Sequence, residues 1–325
     1  MIAGIMLRKI LLALASLAIA LSQNNWPTLR VRAVPEWPEL PAGWNFLETP
    51  GIAADAREHV YVIHRGERPI LEFDAHGKFL RAFGEGLFDR AHAVRVDAEG
   101  NIWAVDDGSH VVLKMDPQGR VRMVLGRRRR STGEKSSAVP DPSAPAGMRG
   151  IRDEGVVRFD RPTDVAFSPA GDIFVSDGYG NSRVVKFSKD GRFLKTWGSK
   201  GSAPGEFNIP HAIAVDKQGR VYVADRENYR IQIFDAEGNF LREWRHLGAP
   251  WGLEITAGPH LYMADGYNNR VLKLNLEGNV LGAFGGPGKL PGEFSYLHHL
   301  AVSPQGAIYT AEILNWRPQK FLPEP

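Results

Sequence analysis

The chain has 325 residues, 43% hydrophobic and 24% charged, with a formal net charge of +3. That supports one large domain or two ordinary ones, and the charge is too small to argue for a nucleic-acid partner. Its 35 glycines and 22 prolines favour many turns, and with no cysteine it holds no disulfide and no lipoprotein-type anchor.

Residues 1–22 open the chain. Arg8 and Lys9 precede an apolar run over 10–21, followed by small residues around Ala20 and Ser22. This is the pattern of a cleaved secretory signal peptide, and the run is short for a membrane span. It predicts export to the periplasm or beyond, with no stable membrane insertion after cleavage. Without its two charges the remaining chain is nearly neutral. Residues 23–42 read as a linker, and 43–325 as the folded domain.

That domain is built from six copies of one unit, at 51–84, 92–126, 163–198, 211–244, 251–285 and 298–321. Each full copy holds four short alternating runs separated by Gly, Asp or Asn turns. Four strands in about 40 residues mark a blade of a β-propeller, which buries its faces only by stacking on its neighbours. The fold class is therefore all-β, a six-bladed propeller. The last copy lacks its fourth run, and "GWNFLET" (43–49) matches the missing piece. An N-terminal strand is expected to complete the sixth blade and close the ring. A basic, Ser/Pro/Gly-rich insertion at about 127–159, led by Arg127 and running through Arg130, reads as a solvated loop.

Aligning the copies at the start of their first strand gives Pro50, His92, Thr163, His211, Trp251 and His298. Histidine occupies every second copy. Alternate blades of six lie about 120° apart at one height, so three imidazoles converge on the axis. Neutral imidazole suits zinc at about 2.0–2.1 Å, and three protein ligands leave a fourth place for water or substrate. His59, His76 and His260 fall in turns, and His110 and His246 read as surface or connecting residues.

A second column, after the second strand, reads His64, Asp106, Asp177, Asp225, Asp265 and Glu312. Acids here are expected to bind turn amides. Beside it, Arg65 and Arg226 lie on opposite blades, with Tyr179 and Tyr267 between them. Guanidinium forks suit a carboxylate, and a phenol beside a cation can serve as a base if its pKa falls.

These residues resemble the NHL-repeat propellers, and within them the peptidyl-α-hydroxyglycine α-amidating lyase family. The likeness runs from about Gly51 to Phe321 and is most specific in "IHRG" (63–66), "VSDGYGNSR" and "VADRENYRIQ". The resemblance implies zinc on His92, His211 and His298, a catalytic tyrosine at Tyr179, and active-site arginines at Arg65 and Arg226. It implies a calcium ion on the axis, held by the Ile52 and Val94 backbone carbonyls. The aspartate that would complete this calcium site is His299 here, and calcium prefers oxygen. Gly180 stands where animal members carry a cysteine.

The implied reaction cleaves a carbinolamide into an amide and glyoxylate, the substrate being a peptide or small molecule with a carboxylate. The alternatives are a non-catalytic binding scaffold and a metal-dependent lyase or hydrolase of another substrate.

Overall fold

The computed structural model describes residues 26–128 and 157–325. The signal segment and most of the basic insertion, Arg129 and Arg130 included, lie outside the described residues. Six four-stranded antiparallel sheets form the six blades of a propeller. The innermost strands are Gly51–Ala54, Ala91–Val96, Asp164–Phe167, Pro210–Val215, Pro250–Ile255 and Leu297–Val302. Their residues are almost all buried, whereas the outer strand Phe193–Trp197 of the third blade is mostly exposed.

The apolar residues of the described chain gather into six clusters, each spanning two neighbouring blades. Blades 3 and 4 share Phe174, Val184, Phe207, Ile213, Val223 and Phe234. No blade has a private core, so the ring stands or falls as a whole. Turns between second and first strands repeat one device. Asp216 Oδ1 accepts the Gln218 and Arg220 amides at 2.9 Å each, and Gly219 takes φ +81°. That left-handed conformation favours glycine.

The acid column does what turn chemistry requires. Asp106 accepts the Asp89 and Arg90 amides at 2.7 Å each, and Asp225 accepts Asn208 N at 2.7 Å. Each thereby pins the segment that enters its own blade's inner strand. In blade 1 His64 replaces the acid, accepting Leu47 N on Nδ1 at 3.3 Å and donating from Nε2 to Arg68 O at 2.8 Å.

The ring is closed by an N-terminal strand, but not by residues 43–49. Val31–Ala33 pairs antiparallel with Arg317–Pro323 and completes the sixth blade, with Val31 opposite Pro323 and Ala33 opposite Phe321. The propeller thus begins inside the stretch read as a linker. Residues 44–49 instead form the entry to blade 1, where His64 holds Leu47 and where Trp44 and Phe46 pack against blades 1 and 6. The insertion also ends earlier than 159, since Phe159 is fully buried between blades 2 and 3.

A variant beginning at Val34 loses the closing strand, its ladder bonds and the cover that Leu29 and Val31 give Phe321. We expect it to be destabilised by roughly 3–5 kcal/mol in denaturant titration. An unchanged midpoint would show that closure adds nothing.

Candidate metal centre

His92, His211 and His298 meet on the propeller axis. Their ring centroids form a near-equilateral triangle, 4.9, 4.8 and 4.8 Å apart. One ligand atom from each lies within 4.8 Å of the others, and all three residues are buried. The arrangement is consistent with a metal site.

The other half of the histidine column orients them. His92 Nδ1 donates to Thr163 O at 2.6 Å, His211 Nδ1 to Trp251 O at 2.7 Å, and His298 Nδ1 to Pro50 O at 2.6 Å. A carbonyl only accepts, so each ring carries its proton on Nδ1 and presents a bare Nε2 lone pair. Burial pushes His92 down to about 3, against the opposing pull of its Thr163 bond. His211 and His298 are likewise pushed well down, first by burial, then by the charge of Arg226 at His211 and by the closeness of the His92 ring at His298, which opposes a second proton. Neutral imidazoles with oriented lone pairs are what a metal requires.

Tyr179 joins the triangle. Its hydroxyl lies 3.0 Å from His92 Nε2 and 3.0 Å from His211 Nε2. Burial raises the pKa of this phenol, and Arg226 only partly opposes the rise. The lowered phenol expected from nearby arginines is therefore not what the residues of the pocket produce by themselves. Gly180 follows because a Cβ there would lie 2.2 Å from Asp160 Cγ.

Arg65 and Arg226 both reach the mouth. Arg65 Nε donates to Ala91 O at 3.2 Å, next to His92. Arg226 stacks on Trp251 at 4.4 Å and lies 5.7 Å from the Tyr179 ring centre. Its Nε donates to Glu227 at 2.8 Å, which also accepts the Tyr267 hydroxyl at 2.8 Å. Tyr267 itself is 42% exposed and stands away from the imidazoles on the outer side of Trp251.

Four residues assigned no role from sequence also shape the mouth. Arg161 lies 4.6 Å over the Tyr179 ring, and Arg90 pairs with the buried Asp107. Burial raises Asp107 even though Arg90, Arg65 and Arg161 pull it down. Trp251 packs 5.1 Å from His211 and 5.5 Å from His298. Only Trp251 had a signal, as the bulkiest member of the histidine column. The Ile52 backbone lies beside the buried His299 ring, below the triangle, and Val94 is fully buried on the neighbouring inner strand.

Fold and site together define a six-bladed propeller with a three-histidine centre. An NHL repeat model matches residues 159–187 and 207–234. The chain is 31% identical over 314 residues to NHL repeat-containing protein 3 of Homo sapiens, covering 89% of this chain and 82% of that protein. The chain belongs to the NHL-repeat propeller family. It is also 31% identical over 310 residues to peptidyl-glycine alpha-amidating monooxygenase A of Xenopus laevis, across 81% of this chain and 30% of that protein. It therefore spans about a third of the length of that relative. Likeness to peptidyl-alpha-hydroxyglycine alpha-amidating lyase 1 of Drosophila melanogaster is 30% over 300 residues, 82% of this chain and 52% of that one.

Depressed histidines make a pH prediction for the metal-free protein. The unfolded chain takes up protons near 6.5 while folded His92 resists until about 3. The unfolded state then binds more protons, so stability falls as pH drops through this window. Each ring contributes up to about 1.4 kcal/mol per pH unit. Thermal melts should steepen in pH dependence below about 6.5, and less so in a triple His→Gln variant; equal slopes would contradict neutral rings.

Proposed function

We propose that the chain is a zinc-dependent carbon–nitrogen lyase that splits a peptidyl-α-hydroxyglycine-like carbinolamide into an amide and glyoxylate. One observation carries this reading: a phenol oxygen 3.0 Å from the Nε2 atoms of both His92 and His211 in a three-imidazole triangle, with a single proton to offer their two lone pairs. The donor set fits zinc, being three neutral imidazoles with a position left open, where a closed structural site would use four protein ligands. The names of the relatives supply the reaction class.

Bound there, zinc would act as a Lewis acid on the substrate hydroxyl, and its charge would lower the pKa of that hydroxyl and of the Tyr179 phenol. Tyr179 Oη takes the hydroxyl proton as the carbonyl of glyoxylate forms. The C–N bond breaks, its electron pair leaves on the amide nitrogen, and the proton taken up by Tyr179 passes to that nitrogen, which balances the step and restores the phenolate. Arg65 and Arg226 hold the substrate and its carboxylate, Arg226 being fixed for this by Glu227 and Trp251. A peptide or small molecule with a terminal carboxylate is the substrate class. The leader-like residues 1–22 support export of the enzyme from the cytoplasm. Among the described residues no helix is long and apolar enough to cross a membrane.

The test pairs metal analysis of purified protein with glyoxylate release from a model α-hydroxyglycine compound. About one equivalent of zinc and steady glyoxylate release are expected. Tyr179→Phe should lose at least about a hundredfold in kcat while keeping its metal. Full turnover in that variant removes Tyr179 as the base. Metal without glyoxylate makes the chain a lyase or hydrolase of another substrate, and neither makes it a binding scaffold.

A further inference from the structure

Below the histidine triangle the channel is crossed by a charged cluster that the proposed reaction does not use. Four inner strands carry alanine three residues after the histidine column, at Ala53, Ala166, Ala214 and Ala301. The exceptions are Arg95 in blade 2 and Glu254 in blade 5, on opposite sides of the ring. One residue after the column, Asp164 in blade 3 and His299 in blade 6 stand opposite each other among glycines and alanines.

These four side chains meet on the axis. Arg95 grips Asp164 with both arms of its fork, Nε to Oδ1 at 3.0 Å and Nη2 to Oδ2 at 2.6 Å. Its Nη1 donates to Glu254 Oε2 at 2.6 Å, and Nη2 also to Leu253 O at 2.8 Å. Asp164 accepts two amides besides, Val165 N at 2.9 Å and Ile213 N at 3.2 Å. Arg95 is 9% exposed and Asp164 1%. One guanidinium therefore ties blades 2, 3 and 5 directly, and blade 4 through Asp164.

The calcium ion implied by the resemblance does not fit here. Calcium takes six to eight oxygens. Position 299 offers imidazole nitrogen, and neither ring nitrogen of His299 reaches ordinary hydrogen-bond distance, although Asp164 and the Ile52 backbone lie beside it. The oxygens of Asp164, 3.9 Å from His299 Nε2, are already held by the guanidinium and two amides. Arginine keeps its charge at every accessible pH, so a dication arriving on the axis meets a fixed positive neighbour. Desolvation raises the Glu254 pKa to about 7 against the pull of Arg95, to which it stays hydrogen-bonded at 2.6 Å.

We propose that Arg95 is the resident cation of the axial channel and stands in place of calcium. The ring is then held on its axis by a covalently attached charge, independent of calcium supply. Removing the guanidinium turns Asp164, Glu254 and the Leu253 carbonyl into an oxygen-lined site suited to a divalent cation.

Thermal melts and calcium analysis at about pH 8, where carboxylates are ionised, test this without reading the histidine site or glyoxylate. The wild-type melting temperature should be the same in calcium chloride and in a calcium chelator, with no stoichiometric calcium after dialysis. Arg95→Met should melt on the order of 10 °C lower and regain part of the loss in millimolar calcium. Arg95→Lys, which keeps the charge without the fork, should melt lower but stay indifferent to calcium. Wild-type protein that retains calcium, or melts lower in chelator, overturns the proposal. So does an Arg95→Met variant as stable as wild type; if that variant fails to fold, the wild-type and Arg95→Lys measurements decide.

Discussion

Three hydrogen bonds from imidazole to backbone carbonyl govern the rest of the structure. Each runs from a histidine to the residue at the same height on the next blade, joining blades 2 to 3, 4 to 5 and 6 to 1. They fix the tautomer, aim the free lone pairs at the axis and, with burial, keep the rings uncharged. They also clasp the blades in pairs. The bond from His298 to Pro50 spans the seam between the last blade and the first, so ring closure and site formation are one event. A metal site assembled this way exists only when the whole ring is closed.

Above the triangle the protein concentrates positive charge and then limits it. Arg65, Arg90, Arg161 and Arg226 surround Tyr179, and Asp107 and Glu227 hold them apart. Trp251 supplies the flat surface on which Arg226 rests. Gly266 makes room for it, since a Cβ at that position would fall 2.5 Å from the indole ring. The mouth is thus lined by guanidinium forks, of which Arg226 is held by Glu227 and Trp251 and Arg90 by Asp107.

Much of this was legible in the sequence because the fold is repetitive. Six copies of one unit place aligned residues at one height, so the alternation of His92, His211 and His298 could be turned into geometry before any coordinates. What was hidden lacked a side-chain signature. Pro50, Thr163 and Trp251 act through carbonyls, which every residue possesses. The closing strand is only Val31–Ala33, between Pro27 and Pro35, and its pairing depends on where the chain returns. Residues 44–49 resemble an outer strand in composition but serve as an inter-blade entry. Arg95 and Glu254 did leave a trace, as departures from a run of alanines. The raised pKa of Tyr179 could not be read from its neighbours in sequence, because burial outweighs the arginines.

The plug formed by Arg95, Asp164 and Glu254 has a consequence for traffic. It occupies the axis below the imidazoles, on the side away from Arg65 and Arg226. Whatever reaches the imidazoles must enter and leave by the same route, and a long polymer cannot thread through. Only a free end can touch the bottom of the well, while the remainder trails into solvent. Under the proposed reaction, this would favour a substrate that presents its reacting group at a free end.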